Sequence, residues 1–96
     1  MRTRRSRLDI VRELLENVNR GYSSKSSLLK NMGLSVASLN SYITYAKEKG
    51  LIEETERGYE LTEKGKKILE MLDEYSRLES KLLLIMEELY KELEEL

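Results

Sequence analysis

The first seven residues carry a dense group of arginines. Arg2, Arg4, Arg5 and Arg7 place four guanidinium groups within six positions. A guanidinium donates paired hydrogen bonds to phosphate oxygens and stays charged at neutral pH. We therefore predict a basic arm at the amino terminus that binds a polyanion, either along its phosphates or in a minor groove. The alternative interpretation is a solvated tail.

The charge of the chain is divided between its two halves. Residues 1–50 carry ten Lys or Arg and four Asp or Glu, a balance of +6, while residues 51–96 carry seven and fourteen, a balance of −7. The two sum to the net charge of −1. Such asymmetry indicates a polyanionic partner for the basic half alone, unless both halves are simply solvated surface.

The sequence lacks the residues on which most enzyme and metal chemistry depends. It contains no Cys and no His, and its five glycines are isolated, which excludes thiolate sites, the usual general base and a glycine-rich phosphate loop. The longest apolar run, residues 82–86, is far shorter than the roughly 20 residues of a membrane span. We expect a cytoplasmic protein with no enzymatic activity, no cofactor, no metal and no small-molecule substrate. A composition rich in Glu, Lys and Arg is also typical of thermophiles.

Three helices are predicted in the first half, because apolar residues recur there at steps of three and four. The first spans residues 7 to about 19 after a capping box of Ser6 and Asp9, the second begins at Ser23 or Ser24 and ends near residue 31, and the third runs from the Ser35 cap to residue 49. The residues predicted to face inward are Leu8, Val11, Leu14, Leu15, Val18, Leu28, Leu29, Met32, Val36, Leu39, Tyr42, Ile43 and Ala46.

A hairpin and a long helix are predicted in the second half. Glu56-Arg57-Gly58 is a turn signal between two short apolar segments within residues 51–61. Thr62 then caps a helix over residues 63 to about 95. At about 1.5 Å per residue this helix is near 50 Å long, too long to pack along its whole length on the preceding body.

The long helix carries a heptad pattern that indicates a coiled coil. The apolar positions alternate at four and three residues, with one polar position at Glu79, and flanking apolar residues such as Met71 and Leu83 widen the stripe. An antiparallel pair would bring the acidic carboxyl-terminal end near the partner's basic residues 64–77. The alternative is a single helix folded back on the body. The residues predicted to mediate dimerisation are Leu72, Tyr75, Leu78, Leu82, Ile85, Met86, Leu89, Leu93 and Leu96.

The order of these elements resembles a known family. The segments SVASLNSYITYAKEKGLI (residues 35–52) and YELTEKGKKIL (residues 59–69) resemble the winged helix-turn-helix family over about residues 6–70. With a basic arm and a terminal coiled-coil helix, the whole layout is similar to the ten-kilodalton ("ten-a") chromatin proteins of Sulfolobus-type archaea. That resemblance implies an antiparallel coiled-coil dimer that carries a DNA-binding winged helix at each end, with the third helix in the major groove.

The third helix then supplies the residues expected to contact DNA. Its outer face carries hydroxyl groups that bind phosphates well and bases only permissively, and Asn40 is the one side chain suited to a paired contact with adenine. No Arg lies in residues 31–56 to recognise guanine, which predicts weak sequence discrimination. Arg57 matches the position where winged helices touch the minor groove, although acidic residues surround it. Besides the four arginines above, the predicted DNA-binding residues are Lys25, Ser38, Asn40, Ser41, Thr44, Tyr45, Lys47, Lys49 and Arg57.

These observations predict a mostly α-helical protein with a small β-hairpin. Its predicted parts are a basic arm (residues 1–6), a winged helix-turn-helix domain (7–67) and an antiparallel coiled-coil dimerisation helix (68–96). The predicted function is a homodimeric, nucleoid-associated protein that bends or bridges double-stranded DNA with low sequence specificity. A sequence-specific transcription regulator of the same fold, and an interaction module that binds no DNA, remain the alternatives.

Overall fold

Serine and threonine side chains fix where the helices begin. The computed structural model describes residues 5–94, with α1 at Arg7–Asn19, α2 at Lys25–Met32, α3 at Val36–Glu48 and α4 at Glu63–Glu94. Ser6, Ser24 and Ser35 each accept a hydrogen bond from the backbone N–H three residues later. The Thr62 hydroxyl likewise accepts from the Gly65 N–H at 2.9 Å. Each predicted helix is therefore confirmed, and Ser24 is the cap of the second.

The hairpin lies directly against the connection between α1 and α2. Its strands, β1 at Ile52–Thr55 and β2 at Gly58–Leu61, are antiparallel, and Thr55 faces Gly58 across the turn. The Tyr59 N–H donates to the Ser23 carbonyl oxygen at 2.9 Å. Gly58 has a φ of +108°, and a Cβ atom there would lie 2.4 Å from that same oxygen. Only glycine allows so close an approach, so Gly58 sets the position of the hairpin.

The core joins all three short helices, the hairpin and the start of α4. Two predicted core residues are wrong, since Leu8 is 46% exposed and Val36 is 59% exposed. Both lie in the first turn of their helices, one turn before the first buried position, so each apolar stripe extends beyond the core. The buried residues are Val11, Leu14, Leu15, Val18, Leu28, Met32, Leu39, Ile43, Ala46, Leu51, Ile52, Tyr59, Leu69 and Leu72.

The long helix α4 packs on this core only through its first turns. Gly65, Leu69 and Leu72 are buried, and Arg12 Nη1 lies 3.5 Å from Asp73 Oδ1 at the edge of the contact. The predicted contact of the long helix with the body near residues 68–72 is thus confirmed. From residue 73 to 94 no side chain is buried, and the described chain measures 61 × 27 × 20 Å.

The predicted fold class is confirmed as mostly helical with one antiparallel hairpin. Among the helices within residues 5–94, none combines the length and the apolar character of a membrane-spanning segment.

Candidate nucleic-acid interface

The face of α3 that points away from the core is polar and accessible. Leu39, Ile43 and Ala46 are buried and anchor the helix to the body. Because a helix turns about 100° per residue, the positions between these anchors face outward. The predicted residues Ser38, Ser41, Thr44 and Tyr45 are all exposed there.

A groove lies between this face, the start of α2 and the hairpin. Its volume is about 450 Å³, and Lys25 and Lys47 line it from different helices. Four of the predicted DNA-binding residues meet in it, since Asn40 and Thr44 also line its wall. The full set of lining residues, hereafter the groove, is Ser23, Ser24, Lys25, Asn40, Ile43, Thr44, Lys47, Glu54, Gly58 and Tyr59.

Asn40 carries an unsatisfied acceptor in this groove. Its side chain is partly buried, and its Oδ1 atom is buried without a hydrogen-bond donor from the part of the chain that the structure describes. A buried amide oxygen without a donor is energetically costly, and an ordered water is the usual way in which such an atom is satisfied.

The lysines around the groove differ in whether their positive charge is already paired with a group of the protein. Lys47 Nζ lies 3.1 Å from Glu54 Oε1, so a hairpin carboxylate already pairs with it. Lys25 forms no ion pair with any residue of the described range 5–94. Lys49 Nζ lies 5.8 Å from the centre of the Tyr45 ring, a cation–π arrangement that holds its charge beside the outer face of α3.

The amino-terminal arginines have different surroundings. Arg5 Nη1 lies 2.6 Å from a Glu13 carboxylate oxygen and donates to the Met32 carbonyl oxygen at 2.9 Å, so the Arg5 side chain connects α1 to the end of α2. Arg7 lines a second hollow of about 250 Å³ with Ser41, Tyr42 and Tyr45. Arg7 therefore extends the surface of α3 toward the arm. The predictions for Arg2 and Arg4 lie outside the described residues.

The hairpin tip presents one exposed cation among carboxylates. The Arg57 side chain is 89% exposed, and its Nε lies 3.4 Å from Glu60 Oε2. Glu60 in turn faces Glu53 across the strands. The mixed charge makes the tip a weaker candidate for phosphate contact than the groove.

Six of the ten groove residues were not among the predicted DNA-binding residues, and two of those six, Glu54 and Tyr59, carry side chains that can ionise. They face each other across the hairpin. Burial raises the pKa of the Tyr59 phenol above its ordinary value of 10.0, the Glu54 carboxylate raises it further, and Lys47 lowers it. The strand alternation that buries Ile52 also directs Glu54 to the same face, and that signal is present in the sequence.

Comparison with known proteins supports the same fold. Curated protein sequences contain no significant match to the chain. The sequence profile described as winged helix-turn-helix matches residues 4–80, which is well over half of the 96 residues. The matched region contains the three short helices, the hairpin and the start of α4 in the order just described. From both the match and the architecture, the chain belongs to the winged helix-turn-helix family.

Proposed function

We propose that this protein binds duplex DNA, with α3 in the major groove and low sequence specificity. The observation that carries the proposal is the groove, in which Lys25, Asn40, Thr44 and Lys47 converge beside the exposed face of α3. Hydroxyl groups and lysines suit backbone phosphates, which fix the position of a protein on DNA but carry little sequence information. The basic balance of residues 1–50 provides the long-range attraction.

The side chains on the outer face of α3 support low sequence specificity, because few of them can recognise a base. Discrimination of guanine usually depends on a paired Arg or Lys contact, but α3 has no Arg and its single lysine, Lys47, is paired with Glu54. Asn40 is suited to adenine, but it is partly buried at the edge of the groove. The phosphate contacts therefore outweigh the base contacts, and we propose an architectural rather than a site-specific role.

The test is a salt series on two unrelated duplexes of equal length. We expect similar affinities for both, each falling steeply with salt, because the binding free energy comes largely from counterion release. Fluorescence anisotropy between about 20 and 200 mM salt covers the useful range. A strong preference for one duplex would favour a sequence-specific regulator. No binding to either at the lowest salt would favour an interaction module that binds protein instead.

The second half of the proposal is a homodimer formed by α4. Leu72 is only 8% exposed within the single chain, while its neighbour Met71 is 66% exposed. The body therefore covers the side of α4 that carries Leu72, and the side that carries Met71 remains exposed to solvent. The open side, hereafter the apolar stripe, has steps of four and three residues and consists of Met71, Tyr75, Leu78, Leu82, Ile85 and Leu89, all exposed.

An antiparallel arrangement of the two α4 helices is supported by charge. Lys64, Lys66 and Lys67 lie near the start of α4, and the carboxyl-terminal end is acidic. A parallel pair would place the acidic ends side by side, whereas an antiparallel pair brings opposite charges together. The proposed dimer carries a winged helix at each end, as in the archaeal chromatin proteins that the layout resembles. It follows that residues 1–6 act as a basic arm, residues 7–67 as the DNA-binding domain, and residues 68–96 as the dimerisation helix.

A further inference from the structure

The groove contains a negative charge in a position where DNA binding favours a positive one. Glu54 Oε1 lies 3.1 Å from Lys47 Nζ, and both residues line the groove. The two side chains are about half exposed, at 57% for Glu54 and 44% for Lys47. Both side chains are therefore accessible from solvent.

The register of the hairpin explains why this carboxylate enters the groove. Glu54 faces Tyr59 across the strands, on the face that also carries the buried Ile52. Adjacent residues of a strand point to opposite faces, so Glu53 lies on the other face, opposite Glu60. The two neighbouring carboxylates thus carry the same charge and occupy the same strand, but only Glu54 contacts α3.

We propose that Glu54 acts as an internal competitor of DNA phosphate for Lys47, and so limits the affinity of the winged helix for DNA. This inference rests on the proposed DNA binding. When a phosphate approaches Lys47, either the ion pair breaks or the carboxylate stays beside a second negative charge. Both outcomes weaken binding, and a repulsive group of this kind also penalises partners that depend on the Lys47 contact. Lys25, which has no such partner within residues 5–94, then makes the stronger phosphate contact of the two.

The experiment compares two substitutions that change the net charge equally. Glu54→Gln removes the competing charge, and Glu53→Gln is the matched control on the opposite face. We expect Glu54→Gln to bind a 20-base-pair duplex about 3- to 10-fold more tightly at low salt, and Glu53→Gln to differ less than about twofold from the original protein. The slope of log affinity against log salt should steepen by about 0.9 for Glu54→Gln, because one more phosphate is neutralised.

A double-mutant cycle with Lys47→Met identifies the target of Glu54. In the original protein Lys47→Met should cost less affinity than in the Glu54→Gln background, because the ion pair with Glu54 must break before Lys47 contacts a phosphate. In the Glu54→Gln background the same substitution should cost several-fold more. Thermal unfolding of every variant verifies that it is folded.

The outcomes separate this inference from the proposed function. Equal gains from Glu54→Gln and Glu53→Gln, or an equal effect of Lys47→Met in both backgrounds, would overturn the role of Glu54 while DNA binding stands. If the original protein and all variants fail to bind duplex at the lowest salt, the proposed function itself is overturned, and the role of Glu54 with it.

Discussion

The ionisation of Tyr59 couples the stability of the groove to pH. Burial and the Glu54 carboxylate raise the pKa of the phenol above its ordinary value, so the folded state favours the neutral form. A group with a raised folded-state pKa contributes stability that is present below its unfolded pKa and is lost as pH rises through the folded pKa. We therefore expect the free energy of unfolding to fall above pH 10, by at most about 1.4 kcal/mol per pH unit from this single proton.

Urea unfolding between pH 8 and 11 measures this effect. Tyr59→Phe should remove part of the alkaline loss, whereas Tyr90→Phe, at an exposed position on α4, should leave the pH profile unchanged. A Tyr59→Phe profile parallel to that of the original protein would contradict the prediction.

The role of a single residue could be predicted from the sequence where that role depends on residues nearby in the chain. The caps at Ser6 and Ser35 depend on residues three positions away, and both are confirmed. Contacts between distant segments were not predictable in this way. The Arg5 guanidinium reaches the Met32 carbonyl oxygen, and Lys47 meets Glu54 across a turn and a strand. Such pairs follow from how α1, α2, α3 and the hairpin pack together, which hydrophobic periodicity does not specify.

At the scale of elements, hydrophobic periodicity predicted the type and the order of the helices and strands. It did not predict where the apolar face of each helix stops being buried. The heptad pattern of α4 continues from Leu72, which is buried, past the polar position at Glu79 to Leu82, which is exposed. Nothing in the spacing marks the end of the body. The structure supplies that boundary near Asp73, since Leu72 is the last buried residue of α4 within the described range and Asp73 pairs with Arg12 of α1. It also shows that Leu72, one of the predicted dimerisation residues, is already covered within its own chain.

The apolar stripe of α4 leads to a prediction with a close control. Leu82 lies within the stripe, while Leu84 lies about 200° around the helix and is 67% exposed. Leu82→Glu should shift the protein from dimer to monomer, because a buried unpaired carboxylate in a coiled-coil interface is strongly unfavourable. Leu84→Glu places the same charge on the opposite side of α4 and should leave the dimer intact.

Sedimentation velocity at micromolar concentration distinguishes the two states. Dimers for both variants would show that the stripe is not the interface. A monomeric original protein would refute the proposed coiled coil altogether.

For the whole molecule, the division between a basic body and an acidic helix determines what a dimer does with DNA. The described part of α4 has 32 residues, or about 48 Å of helix, of which the portion beyond the body is free to pair. An antiparallel pair sends the two bodies to opposite ends. Their α3 faces are then separated by a rod that is acidic and repels DNA along its length. One duplex would have to bend sharply around such a rod to reach both bodies, and bending a short duplex carries its own energetic cost.

Bridging of two duplexes is therefore the expected mode. With a biotin-labelled duplex immobilised on beads, the dimer should retain a second, fluorescent duplex in solution, and the Leu84→Glu variant should do the same. The Leu82→Glu monomer should still bind a single duplex, more weakly because it loses the second attachment point, and should retain no fluorescent DNA. If the dimer binds the immobilised duplex but captures no second one, both bodies occupy the same DNA. In that case the protein bends one duplex instead of bridging two. The distance between the two ends of the bound duplex should then be shorter than in the free duplex.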